Sequence, residues 1–148
     1  MSYNPAAGTV ANYQETIFTG GPQTISSGSY VDVTGASLTI VTSSPRFVRF
    51  DGRLTANMVQ ANPGPVTGAS VAIAINIDGT DYPLGSPQQA GLEINNGNSQ
   101  NANQIASGWK TLNLPAGSHT VKLRAKALSG SSTILSGADS PSVVSAAW

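Results

Sequence analysis

This chain of 148 residues predicts an all-β fold: an antiparallel sandwich of two sheets, of jelly-roll type by its length. Three observations lead there. Apolar and polar residues alternate with period two in several runs, Val121–Ala127 being the clearest. Turn residues interrupt these runs every 8–12 residues or so, the spacing typical of short-stranded sandwiches and barrels. No window carries apolar residues at helical i, i+3, i+4, i+7 spacing over a useful length.

Residues 1–28, rich in Ser, Asn, Gly and Pro, read as an N-terminal arm ahead of a domain spanning 29–148. A short extended stretch around Glu15–Phe18 interrupts it. Tyr3, Tyr13, Ile17 and Phe18 are the arm's candidate anchors on a neighbouring subunit, and a leader without fixed structure is the other reading.

From Ser29 the runs SYVDV and SLTIV flank Gly35, and FVRFDGRLTANM follows Pro45. In the last run Val48, Phe50, Gly52, Leu54, Ala56 and Met58 share one parity, while Arg49, Asp51 and Arg53 share the other. One face is therefore apolar and the opposite face charged. Gly52 in mid-strand signals a bulge or a close backbone approach. Asn62-Pro-Gly-Pro ends the run.

Ala69–Asp78 carries Val71, Ile73, Ile75 and Ile77 on one face and meets Asp78-Gly79, a pair suited to a type I′ hairpin turn. Thr80–Leu84 is the return strand. Pro87 and the Asn-rich tract Asn95–Gln104 read as a long polar loop, and Ile105–Leu114 as a strand through Trp109. Leu112–Leu128, with a Pro-Ala-Gly-Ser turn at its centre, reads as a β-hairpin. Ser132–Leu135 and Ser142–Trp148 complete the strands, with a loop at Gly137–Pro141 between them.

Composition narrows the partners. Seven basic and seven acidic residues cancel, so no field attracts nucleic acid or an anionic membrane. Only 9% of residues are charged, against about 25% in ordinary soluble domains. Such a chain is expected to cover much of its surface in an assembly, or else to present a surface of neutral polar residues. Zero cysteines exclude disulfides and thiolate sites. No basic segment leads into an apolar run near Met1, so synthesis without a Sec-type signal and without a membrane span is expected.

No constellation carries chemistry, and neither a catalytic residue nor a cofactor is expected. His119 is the only histidine, follows a turn, and has no Gly-x-Ser-x-Gly elbow to serve. One His and no Cys leave transition metals without ligands, Asp78-Gly-Thr-Asp81 lacks EF-hand spacing, and no phosphate-cradling Gly-rich loop is present. A turn histidine bonded to nearby backbone is the plainer reading of His119.

Two charged rows repeat: Arg49, Asp51, Arg53 and Lys122, Arg124, Lys126. They are either solvated sheet faces or, together with Trp148, candidate subunit contacts that pair with Asp32, Asp78, Asp81 or Glu93 across an interface. Tyr82 and Trp109, with the Asn-rich tract, form the alternative: a glycan-binding surface.

The segments SYVDVTGASLTIVTSSPRFVRFDGRL, AIAINIDGT and LPAGSHTVKLRA, over about Ser29 to Trp148, together resemble the TNF-like jelly-roll modules of tailed-bacteriophage structural proteins, namely capsid decoration (cement) proteins and fibre-head domains. The resemblance implies a homotrimer on the virion surface, bound to the major capsid protein of a phage head, with the arm as a strap and no catalytic residues. The absence of a shaft-like segment favours decoration over host attachment.

Overall fold

A computed structural model describes residues 12–18, 23–26, 28–60, 69–84, 90–92, 100–129, 131–134 and 143–148. These residues form strands β1 (Tyr13–Ile17), β2 (Gln23–Ile25), β3 (Val31–Thr42), β4 (Arg46–Gln60), β5 (Ala69–Ile77), β6 (Thr80–Pro83), β7 (Ala90–Leu92), β8 (Gln100–Leu114), β9 (Gly117–Ser129), β10 (Ser131–Ile134) and β11 (Val143–Ala147). No helix occurs among them. Asn62-Pro-Gly-Pro, Pro87 and the loop at Gly137–Pro141 lie outside the described residues.

All pairings are antiparallel, in two sheets. One has the order β1-β11-β4-β10-β2, with β8 on the other side of β4; the second has the order β3-β9-β5-β6, with β7 also on β5. Strand β4 is the spine of the first sheet. It pairs with β8 from Arg46↔Leu114 to Gln60↔Gln100, while β11 and β10 share its opposite edge.

The core lies between the sheets and follows the alternation. Val48, Phe50, Leu54 and Ala56 of β4 are fully buried, as are Val71, Ile73 and Ile75 of β5 and Val121, Leu123 and Ala125 of β9. Burying each larger aliphatic side chain stabilises by about 1.5–3 kcal/mol relative to leaving it in water. Gly52 is a close approach and not a bulge, since its register to Gly108 and Val144 is unbroken. A Cβ there would fall 2.7 Å from Leu84 Cδ1 and 3.0 Å from Leu123 Cδ1. The Asp78-Gly79 turn has positive φ at both residues, 50° and 93°, as a type I′ turn requires.

Four expectations are corrected. Leu112–Leu128 is not a hairpin. Strand β8 pairs with β4 in one sheet and β9 with β3 and β5 in the other, so Pro115-Ala116 carries the chain from sheet to sheet. The turn residues reverse the chain, but its two arms find their hydrogen bonds with distant strands. Thr42 helps fix this crossing through its hydroxyl, which donates to Pro115 O at 2.6 Å.

The two runs around Gly35 are one strand, β3, with a bulge. Between the pairs Asp32↔Arg124 and Ser37↔Lys122, β3 advances five residues while β9 advances two. Gly35 takes φ 80° inside the bulge, and Val33 and Ala36 still reach the core.

The domain also takes in residues assigned to the arm, so the boundary at Gly28 is too late. Strand β1 pairs with β11 and β2 with β10. Phe18 and Ile25 are 1% and 0% exposed, because burying them in their own sandwich removes their apolar surface from water without a partner. Phe18 is thus a core residue and not an anchor for a neighbour. Tyr3 lies outside the described residues.

Finally, residues 100–104 of the Asn-rich tract continue β8 and pair with β4. Backbone pairing there needs no apolar side chains. The rest of that tract lies outside the described residues.

Candidate functional site

Residues opposite one another in a sheet point to the same side, so the register builds the outer face of the β4 sheet row by row. Glu15, Ser145, Asp51 and Trp109 form one row across β1, β11, β4 and β8. Tyr13, Ala147, Arg49 and Thr111 form the next, and Ile17, Val143, Arg53 and Ser107 the row on the other side. Phe47 and Ile105 share this outward parity at the two ends of the patch.

This face is unusually apolar for a surface. Seven large hydrophobic side chains are exposed among the described residues, and five of them lie here: Tyr13 at 60%, Ile17 at 45%, Phe47 at 71%, Ile105 at 49% and Trp109 at 60%. Singly scattered they would need no explanation; gathered on one sheet face they make it a candidate contact surface.

Two of the charges on the face, Arg49 and Asp51, pair with each other. Arg49 donates from Nε to Asp51 Oδ2 at 3.0 Å and from Nη2 to Oδ1 at 2.9 Å, and its guanidinium carbon lies 4.8 Å from the Trp109 ring centroid. Tyr13 donates its hydroxyl to Glu15 Oε2 at 2.6 Å. That bond raises the Tyr13 phenol above its ordinary 10.0. A shallow groove runs between Glu15, Asp51, Arg53, Ser107, Trp109 and Ser145. Two carboxylates, one guanidinium, two hydroxyls and an indole edge suit a polar or mixed partner surface at its centre, with the apolar side chains around it.

The basic row on β9 has a different setting. Arg124 Nη1 donates to Asp81 Oδ2 at 2.7 Å and Nη2 to Tyr30 O at 2.7 Å, and its Nε lies 2.9 Å from Asp32 Oδ1. Lys122 Nζ reaches Asp32 Oδ2 at 2.8 Å, and Lys126 sits over the Tyr30 ring at 4.7 Å. Asp81 also accepts from Asn76 Nδ2 at 2.6 Å. The carboxylates Asp32 and Asp81, expected on a neighbour, lie on the same sheet face because β3 and β6 flank β9 and β5. The long side chains of Arg124 and Lys126 stand directly opposite Ala74 and Ala72, which are 0% and 3% exposed. This row seals the back of its own sheet.

Asp78 too is engaged within the chain, with its carboxylate on His119 Nδ1 at 2.7 Å and accepting from the Thr120 amide at 2.8 Å. Glu93 lies outside the described residues. Trp148 packs partly against the core, and its backbone exchanges hydrogen bonds with Asn12 at 2.7 and 2.9 Å.

Tyr82 and Trp109 do not form one surface. Trp109 faces outward on β8, whereas Tyr82 packs against the core with Lys110 5.8 Å from its ring centroid. Phe47, Ile105 and the Tyr13–Glu15 pair were not singled out by the sequence reading. Phe47 carries a readable signal, since it shares the parity of Arg49 and Asp51.

No group of three or more His, Cys, Asp or Glu able to hold a metal ion occurs among the described residues. No helix among them is long and apolar enough to cross a membrane. No protein-family model matches the chain, and no curated protein matches it.

Proposed function

We propose that this chain is a structural virion protein that decorates and stabilises a bacteriophage capsid as a homotrimer. The observation that carries the assembly part is the face bearing Tyr13, Ile17, Phe47, Ile105 and Trp109, five exposed hydrophobics flanking the Arg49–Asp51 ion pair. A face with equal acidic and basic groups, Glu15 and Asp51 beside Arg49 and Arg53, suits a second copy of itself. The sheet orders β1-β11-β4-β8 and β3-β9-β5-β6 support a jelly-roll wiring: along these eight strands every step in the chain crosses to the other sheet except β5 to β6. That wiring supports the resemblance to TNF-like phage modules, from which the trimeric state and the capsid partner are taken.

Arg49, Asp51 and Arg53 remain the subunit contacts of this reading, with Tyr13 and Ile17 beside them. Lys122, Arg124 and Lys126 drop out, because the first two pair with Asp32 and Asp81 and the third sits over the Tyr30 ring within the protomer. The strap role narrows to residues 1–11, ahead of β1.

Sedimentation velocity at micromolar concentration tests the trimer: a monomer overturns it. Co-sedimentation with capsid shells tests the partner. A chain lacking residues 1–11 is expected to trimerise and to bind shells more weakly, and undiminished binding overturns the strap.

Carbohydrate or receptor binding is the second reading, favoured by the exposed Trp109 ring beside Asp51 and Arg53 in the groove. It requires that face to be open in the assembly. Binding to a glycan array that is lost in Trp109→Ala, with the oligomer intact, would select it.

A further inference from the structure

His119 is 6% exposed, and both of its ring nitrogens face oxygen atoms that have no proton to give. Nδ1 lies 2.7 Å from Asp78 Oδ2, and Nε2 lies 3.0 Å from Pro115 O. A neutral imidazole carries one N–H, so it satisfies one of these contacts and turns a lone pair toward the other. The cation satisfies both.

The two acceptors belong to different parts of the sandwich. Asp78 is in the turn between β5 and β6, and its other oxygen accepts from the Thr120 amide at 2.8 Å. Pro115 is in the crossing that carries the chain from one sheet to the other, and its carbonyl also accepts from Thr42 Oγ1 at 2.6 Å.

We propose that cationic His119 is a pH-sensitive latch, clamping the sheet-to-sheet crossing at Pro115 to the Asp78-Gly79 turn, and that loss of its proton loosens this corner of the sandwich. The charged group acting on the ring is the Asp78 carboxylate. The neighbours named among the described residues carry no charge: Ile40 opposite on β3, Thr42 on the same strand, Pro115 on the crossing and Thr120 on β9. The hydrogen bond to Asp78, and next that to Pro115, hold the imidazole above its ordinary 6.5, outweighing the burial that opposes the charge.

A group whose folded value is raised contributes its full stabilisation below the unfolded value and loses it as pH climbs through the folded one. The latch is therefore shut in mildly acidic solution and opens as pH climbs through the folded value, which lies above the ordinary 6.5.

The composition makes this testable without ambiguity. With one histidine and no cysteine, the imidazole and the α-amino group are the groups that ordinarily titrate between about pH 5 and 9. NMR of the imidazole in the unmodified protein is expected to show both ring nitrogens protonated at pH 6 and a midpoint above 6.5. A bare nitrogen at pH 6, or a midpoint at or below 6.5, overturns the latch.

The melting temperature is expected to fall by several degrees from pH 6 to pH 9, and His119→Gln to remove most of that fall, leaving the α-amino contribution. An equal fall in both proteins overturns it. Amide exchange localises the effect. Corrected for its intrinsic pH dependence, exchange at Asp78 and Thr120 is expected to accelerate over this range more than at Ile75, and a uniform change overturns the assignment to this corner.

Discussion

The Arg49 guanidinium lies over the Trp109 indole, its carbon 4.8 Å from the ring centroid, while two of its nitrogens hold the Asp51 carboxylate at 2.9 and 3.0 Å. A cation so placed keeps the large exposed ring in one orientation and is itself kept there by the carboxylate. The outer face of the β4 sheet is thereby fixed in shape before any partner arrives, which lowers the cost of ordering it on contact.

Charge placed on that face separates folding from assembly. The double variant Phe47→Asp, Trp109→Asp removes side chains that are 71% and 60% exposed, so protomer stability is expected to change by no more than about 1 kcal/mol. The oligomer is expected to dissociate, read by sedimentation velocity alongside an unchanged circular-dichroism spectrum. A trimer that persists removes this face from the interface.

Gly52 is required by space and not by backbone conformation. Its missing Cβ would meet Leu84 Cδ1 at 2.7 Å, Leu123 Cδ1 at 3.0 Å and Ile75 Cδ1 at 3.4 Å, all three from buried side chains. Gly52→Ala is expected to cost about 1–3 kcal/mol in denaturant titration, and Gly52→Val more. Combining Gly52→Ala with Leu84→Ala is expected to cost less than the sum of the two single changes. Strict additivity would show that the clash is not with Leu84.

Arg124 and Lys122 differ in what they leave behind. Arg124 touches Asp32, Asp81 and the Tyr30 carbonyl with its side chain 24% exposed, whereas Lys122 touches Asp32 alone at 39%. Arg124→Ala is expected to destabilise by about 1–3 kcal/mol, through its lost bonds to Asp81 and the Tyr30 carbonyl and through uncovered alanines. Lys122→Ala is expected to cost less than about 1 kcal/mol and to become neutral at high salt. Equal losses in the two variants would contradict the bridging role of Arg124.

Asp78 contributes to the acid limb of stability. The hydrogen bond from His119, then that from the Thr120 amide, hold its carboxyl below the ordinary 3.8. Its contribution is therefore present above 3.8 and lost as pH falls through the folded value. Asp78→Asn is expected to flatten the decline of melting temperature below pH 4, and an unchanged acid limb would place the sensitivity on other carboxylates.

Local chemistry made much of the fold legible. The parity of Val48 to Ala56, the apolar face of β5 and the Asp78-Gly79 turn each rest on residues adjacent in sequence. What each strand pairs with does not. Leu112–Leu128 carries all the marks of a hairpin, yet nothing near Pro115 records that Leu114 will meet Arg46 while Gly117 meets Thr42. Strand β2 is hidden for the same reason, and β1 shows only as the extended stretch around Glu15–Phe18, because their polar residues are sheet members through pairing with β10 and β11. The candidate site was half legible. Arg49, Asp51, Tyr13, Ile17 and Trp109 stood out by type, but the rows that join them run across four strands.

The pairing of Tyr13 with Ala147, with β11 held between β1 and β4, sets an order of events during synthesis. Strands β3, β5, β6 and β9 lie within residues 31–129, so they can align before β11 is free to pair. The spine strand β4 must wait, one part of its edge bare, until Val143–Ala147 leaves the ribosome. Sheets that depend on such distant pairings close slowly, over milliseconds to seconds. During that interval the nascent chain exposes the strand edge on which neighbouring nascent copies can wrongly pair.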